Sequence, residues 1–243
     1  MLMRFCLTFG FFRGSILFLK MKTGNTSAIK LPGAKYPFCM RPNTSDVRTF
    51  CQLYINKEYD FEFARPQVIV DAGANIGFFT LQMKSQFPET KIICIEPDAD
   101  NFNILKKNTS YYENIFCENC GLWNKNTKLK VYDKYNLGKW GMVVEEDSKN
   151  GTIPAISINT IFEKYSLKSI DLLKLDIETS EKQVFLDNYA GWLPKVKTIV
   201  IELHDRMEAG SSRPFFEAIN KTFSKYNYFV KGENTIIENK DLG

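Results

Sequence analysis

The chain has 243 residues, 44% hydrophobic and 14% aromatic, enough for one well-buried α/β domain. Thirty-two basic against 28 acidic side chains leave a formal net charge of +4, too slight to point to nucleic acid. The cysteines (Cys6, Cys39, Cys51, Cys94, Cys117 and Cys120) are scattered, and the lone CxxC at Cys117 and Cys120 argues for reduced thiols of a cytoplasmic protein rather than zinc.

In chain order, Leu2, Phe5, Phe9, Phe12, Ile16 and Leu19 recur at helical spacing, predicting an amphipathic helix from Met1 to about Lys22. Arg4, Arg13 and Lys20 interrupt the apolar run, which is too short and too charged to span a bilayer. Arg13 also splits the core of any signal peptide, and no small-residue cleavage site follows. Such a helix packs on the domain or on a second subunit, or lies on a membrane surface, where basic residues beside Phe and Leu are favoured. Ala28–Leu31 and Tyr36–Arg41 read as a short hairpin around Pro32 and Gly33, and Asp46–Ile55 as a helix capped by Ser45 or Asp46. Residues 1–62 thus form a lid-like preface to a main domain over 63–243.

The main domain alternates strand and helix. Val68–Asp71, Phe78–Ser85, Lys91–Glu96, Asn101–Lys107 and Ile115–Asn119 come first, then a turn-rich stretch from Leu129 to Ile158 that reads as a β-hairpin insertion, with Trp140 between Gly138 and Gly141. Ile170–Asp176, Lys182–Tyr189, Thr198–Leu203, Phe215–Lys225, Tyr228–Val230 and Thr235–Ile237 complete the pattern. This predicts a mostly parallel, Rossmann-like sheet with helices on both faces and an antiparallel edge.

The most informative segment is Asp71-Ala72-Gly73-Ala74-Asn75-Ile76-Gly77, a glycine-rich turn between a buried strand and a helix. Such turns offer a nucleotide-like ligand their backbone NH groups. Asn75 stands where a dinucleotide loop needs its second glycine, and Asp71 suits a cationic ligand better than a phosphate. S-adenosylmethionine carries a sulfonium and an ammonium and no phosphate. Glu96, ending the second strand, can accept both ribose hydroxyl protons, or can merely cap the helix beginning near Asp98.

Four segments together resemble the FkbM-type family of S-adenosylmethionine-dependent methyltransferases: Asp71 to Gly77, Ile95-Glu96-Pro97, Leu173-Lys174-Leu175-Asp176-Ile177-Glu178 and Val200-Ile201-Glu202-Leu203-His204. The stretch Arg41 to Asp46, with Tyr54 and Glu58-Tyr59-Asp60, resembles that family's lead-in. The resemblance implies a class I methyltransferase fold and methyl transfer to oxygen, often a hydroxyl of a sugar, glycan or natural product. Where the family has glycine in a D-x-E-G-x-E pattern, this chain has Thr179, which cannot take a positive φ without strain.

The methyl donor is expected on Asp71, Gly73, Asn75, Gly77 and Glu96, with Cys120, Gly121 and Leu122 flanking the adenine. Asp176 and Glu178, and likewise Glu202 and His204, stand two apart at strand ends, so an extended backbone aims each pair one way. The resemblance makes those strands neighbours. His204, the one histidine of the chain, is the natural general base, since a free imidazole titrates near ~6.5. A second mechanism has Asp176, Glu178 and Glu202 hold Mg²⁺, and it is not the favoured one. A non-catalytic scaffold and a nicotinamide oxidoreductase are the rival readings of the whole chain. The partner expected is a small-molecule or glycan substrate; for residues 1–22, packing on the domain or on a second subunit is the preferred reading, with contact to a membrane surface as the alternative.

Overall fold

The computed structural model describes residues 1–61, 64–132, 143–178 and 180–242. Two short helices open the chain, α1 (Leu2–Phe9) and α2 (Phe11–Thr23). The continuous helix expected over Met1 to Lys22 is broken at Gly10, whose φ of 82° and ψ of 156° suit glycine and no helix. The break folds α1 onto α2, with Phe5 edge-on to Phe18 at 5.8 Å. The expected hairpin reduces to one antiparallel bridge, Ile29 to Phe38. Helix α3 (Asp46–Phe50) runs on as a π-helical turn over Cys51–Ile55. Ser45 makes no capping bond there. Asp46 is instead bound by Arg41, whose backbone N and Nε donate to one carboxylate oxygen at 2.8 and 3.0 Å. Phe5, Phe38 and Phe50 are buried in one cluster with Ile69, Phe78 and Ile92, so the preface shares a core with the sheet.

The central strands of the main sheet are short apolar runs that are mostly buried, while its two edge strands are not. Its elements are β1 (Val68–Ala72), α4 (Phe78–Gln86), β2 (Lys91–Ile95), α5 (Ala99–Thr109) and β3 (Ile115–Glu118). After an intervening region come α6 (Ile158–Lys164), β8 (Ile170–Leu175), α7 (Glu181–Leu186), β9 (Val196–Glu202), α8 (Arg213–Thr222), β10 (Tyr226–Lys231) and β11 (Asn234–Asn239). The order is β10-β11-β9-β8-β1-β2-β3. The five strands from β9 to β3 run parallel, and β11 and β10 pair antiparallel at the edge, as the alternation predicts. β1 lies between β2 and β8, so its carboxyl end is the point where the winding reverses, the place such sheets bind ligands.

The intervening region is a second sheet of β4 (Gly121–Trp123), β5 (Thr127–Tyr132), β6 (Val143–Glu146) and β7 (Ile153–Ser157), ordered β4-β7-β5-β6. The expected hairpin is therefore its β5–β6 pair, with two more strands added from either side in sequence. Trp140 and its flanking Gly138 and Gly141 lie outside the described residues, as does Thr179.

Candidate functional site

A cleft of about 940 Å³, its open mouth included, lies over the carboxyl ends of β1, β2 and β8. Its floor is the turn after β1. Gly73 sits at φ 74°, and a Cβ there would stand 1.8 Å from the Asp176 carbonyl oxygen. The glycine is thus required by the neighbouring strand end. Asn75 takes φ 50°, a conformation asparagine tolerates, and its Oδ1 accepts from the Ile76 N at 2.8 Å.

Glu96 lines the cleft and is nearly buried. Its Oε1 accepts from the Asp98 N at 3.0 Å and from Asn101 Nδ2 at 3.2 Å, and its Oε2 from the Asn75 N at 2.8 Å. The cap of α5 is Asp98, which accepts from the Asn101 N at 2.9 Å. Glu96 therefore ties the turn to the start of α5. Burial, opposed by these hydrogen bonds, pushes its carboxyl up to about 7.

Opposite stands a cluster from β8, α7 and the end of β9. β8 and β9 are adjacent and parallel, with Leu175 opposite Ile201, which brings Asp176 and Glu202 to one edge. His204 is the hub. Its Nδ1 meets Glu181 at 3.1 Å, and its Nε2 lies 3.4 Å from Glu178 and 3.5 Å from Glu202. Glu178 does not continue an extended strand as expected. It turns at φ 52°, and Glu181 Oε1 accepts from the Ile177 N at 2.8 Å to fix that turn. Lys174 joins the two halves of the cleft: its Nζ donates to the Gly73 carbonyl at 2.8 Å and lies 3.3 Å from Asp71 and 3.7 Å from Asp176.

The electrostatics follow from burial. Desolvation and the neighbouring Asp176 push Glu178 up to about 8 and Glu202 up to about 9. Burial pulls His204 down, but Glu181, Asp176 and Glu178 outweigh it and hold the imidazole at about 10. His204 is therefore an imidazolium at neutral pH, and it stands behind the cleft rather than in its wall. Its expected part as general base is corrected on both grounds. Asp176, Glu202 and His204 present ligand atoms within 4.8 Å of one another. Mg²⁺ favours oxygen ligands, and here the cation between the carboxylates is the imidazolium itself, so the group fits a resident metal poorly.

Of the expected donor residues, Gly73, Asn75, Glu96, Gly121 and Leu122 line the cleft. Asp71 does not. It is fully buried behind the turn, where Thr80 Oγ1 donates to it at 2.7 Å and Lys174 balances its charge. Gly77 precedes α4 and packs toward Leu105. Cys120 belongs to the hydrophobic core, and Gly121 and Leu122 begin β4. Three participants were missed. Tyr59 and Thr49 come from the preface and line the cleft, and no periodicity marks them. Glu181 was legible, since it closes the D-x-E-x-x-E spacing that begins at Asp176.

The family described as Methyltransferase FkbM domain matches residues 71–230. A relative named Methyltransferase 1, from Beauveria bassiana (strain ARSEF 2860), is 28% identical over 158 residues, covering 61% of this chain and 57% of its own. Methyltransferase sdnD of Sordaria araneosa is 28% identical over 185 residues, covering 62% of this chain and 70% of its own. The chain thus spans little more than half the length of the first of these relatives. Among solved structures, TrmK of M. capricolum in complex with S-adenosyl-homocysteine aligns with a TM-score of 0.39 and 12% identity, over 76% of this chain and 67% of that one.

Proposed function

The chain belongs to the FkbM methyltransferase domain family, and from that premise we propose that it is an S-adenosylmethionine-dependent O-methyltransferase acting on a hydroxyl of a sugar, glycan or other natural product. The observation that carries this reading is the carboxyl-rich cleft. Its described lining holds four carboxyl groups, Glu96, Asp176, Glu178 and Glu202, against the single ammonium of Lys174. Burial holds three of them up near or above neutrality, so a ligand of net positive charge draws them to the ionised form, whereas the pyrophosphate of a dinucleotide would find one cationic partner only.

S-adenosylmethionine would supply an electrophilic methyl group on a sulfonium. The residues that would hold it are Gly73 and Asn75 through the backbone, Glu96 through the ribose hydroxyls, and Leu122 with Ile95 against the adenine. The chain's own tasks are then to hold the acceptor oxygen in line, exclude water and take up the hydroxyl proton. Glu202 takes that proton from its ionised form, since a carboxylate raised to about 9 holds a proton better than a free one. Net positive charge entering the cleft draws Glu202 toward its ionised form and readies it. His204 and Glu181 position Glu202 and Glu178, and Asp176 accepts a hydrogen bond from the acceptor.

The test is transfer of a labelled methyl group to a panel of hydroxylated acceptors, with donor affinity measured separately by calorimetry. Glu202→Gln should lower turnover by roughly two to four orders of magnitude while donor affinity holds. Full turnover in that variant, with activity lost to a chelator, would replace this base by a metal. If the wild-type chain binds no donor, the scaffold reading takes its place.

A further inference from the structure

The apolar side chains of α1 and α2 do not all face the core. Phe12 is 80% exposed, Leu7 77% and Phe11 71%, and Met3, Ile16 and Leu19 are each more than half exposed. A ridge of this size on the two helices is far beyond scattered surface apolarity and marks an interaction surface. The charge around it is one-sided. Residues 1–45 contain seven Lys and Arg and no Asp or Glu, whereas the rest of the chain holds 25 basic and 28 acidic side chains. Beside the ridge, between α2 and the Ile29–Phe38 bridge, lies a groove of about 1,010 Å³. Arg13, Lys20 and Lys30 border it over a floor of Leu17, Leu31 and Pro32. No helix among the described residues is long and apolar enough to cross a membrane.

We propose that α1 and α2 lie on the surface of a membrane containing anionic lipid, with the Phe, Leu and Ile ridge entering the acyl boundary and the groove taking a lipid phosphate. A protein partner would need its own acidic, apolar patch. A bilayer supplies both parts at once, apolar depth under the ridge and negative charge beside it, which is why an exposed ridge with an all-basic flank fits it best. The packing keeps the helices firm enough for this. Phe5 is buried and stacks on Phe50 at 6.1 Å, and Arg4 donates to Asn56 Oδ1 at 2.6 Å. Phe50 adjoins Thr49, which lines the cleft, so a chain bound this way holds its active cleft near the lipid surface.

The experiment is co-sedimentation of the full chain with phosphatidylcholine vesicles, with and without phosphatidylglycerol. The chain should pellet with the anionic vesicles and stay in solution with phosphatidylcholine alone, and high salt should release it. Arg13→Gln and Lys30→Gln should each weaken partitioning by about fivefold, the effect of one basic residue near an anionic surface. Phe12→Ser should weaken it further without unfolding, since the ring is exposed. Failure to pellet, or equal binding to both vesicle types in all variants, overturns the proposal. So does a solution dimer that Phe12→Ser converts to monomer, because the ridge would then belong to a second copy of the chain.

Discussion

The two sides of the cleft are held in different ways. On the side of β1 and β2, polar groups are held by backbone: Glu96 accepts from the Asn75 and Asp98 amides, and Lys174 donates to the Gly73 carbonyl. On the side of β8 and β9, side chains hold one another, three carboxylates around one imidazole. A site fixed by backbone changes little when a neighbouring charge is lost. A site fixed by mutual charge has no spare partner, so each member depends on the others. The first is suited to a ligand used in every turnover, and the second to a proton that must come and go.

The sharpest way to break that difference is His204→Ala. It leaves Glu178, Glu181 and Glu202 buried together without a cation, and should cost about 3–5 kcal/mol of unfolding free energy in denaturant titration, the usual effect of removing one partner of a buried pair. The pH dependence carries the same signature. His204 is raised to about 10 from an unfolded value near ~6.5, so its stabilisation is complete below ~6.5 and fades as pH rises to about 10. Glu178 and Glu202, raised from 4.5 to about 8 and 9, also bind protons more tightly in the folded chain, so their contribution fades earlier, as pH rises from 4.5 to those values. The unfolding midpoint should therefore fall steadily between neutral pH and about 10. A flat profile there would show that the cluster does not carry these charges.

Gly73→Ala tests the backbone side. The new Cβ would meet the Asp176 carbonyl at 1.8 Å, with φ at 74°, so β1 and β8 must part. A loss of about 3 kcal/mol is expected, since both backbone strain and a closed contact are involved. Stability near wild type would mean that the turn can relax and is less fixed than the geometry implies. The smallest effect is expected from Glu96→Ala. It should weaken S-adenosylmethionine binding by about 1.5–3 kcal/mol in calorimetry, because charge-assisted bonds to the ribose are lost. Unchanged affinity would leave Glu96 as the tie between the turn and α5 and nothing more.

What could be read from residues alone was local. Three β-branched residues before Asp71 set β1, the glycine-rich turn set the ligand face, and strand-helix alternation set a parallel sheet, because each depends on neighbours within a few positions. The same locality explains the misses. A strand end and an acid suggest a charge beside the turn, yet Asp71 points into the fold because Lys174, about a hundred positions later, lies there to meet it. His204 reads as a base from its free titration, but Glu181, Asp176 and Glu178, from one stretch more than twenty positions earlier, hold its imidazole up to about 10. Thr49 and Tyr59 reach the cleft only because Phe50 and Phe38 bury the preface against Phe78. Sequence therefore determined the fold class, the glycine-rich turn after β1 and the acids at the strand ends. Tertiary structure decided which of those groups face the cleft and which stay charged, because burial and the approach of distant charges set both.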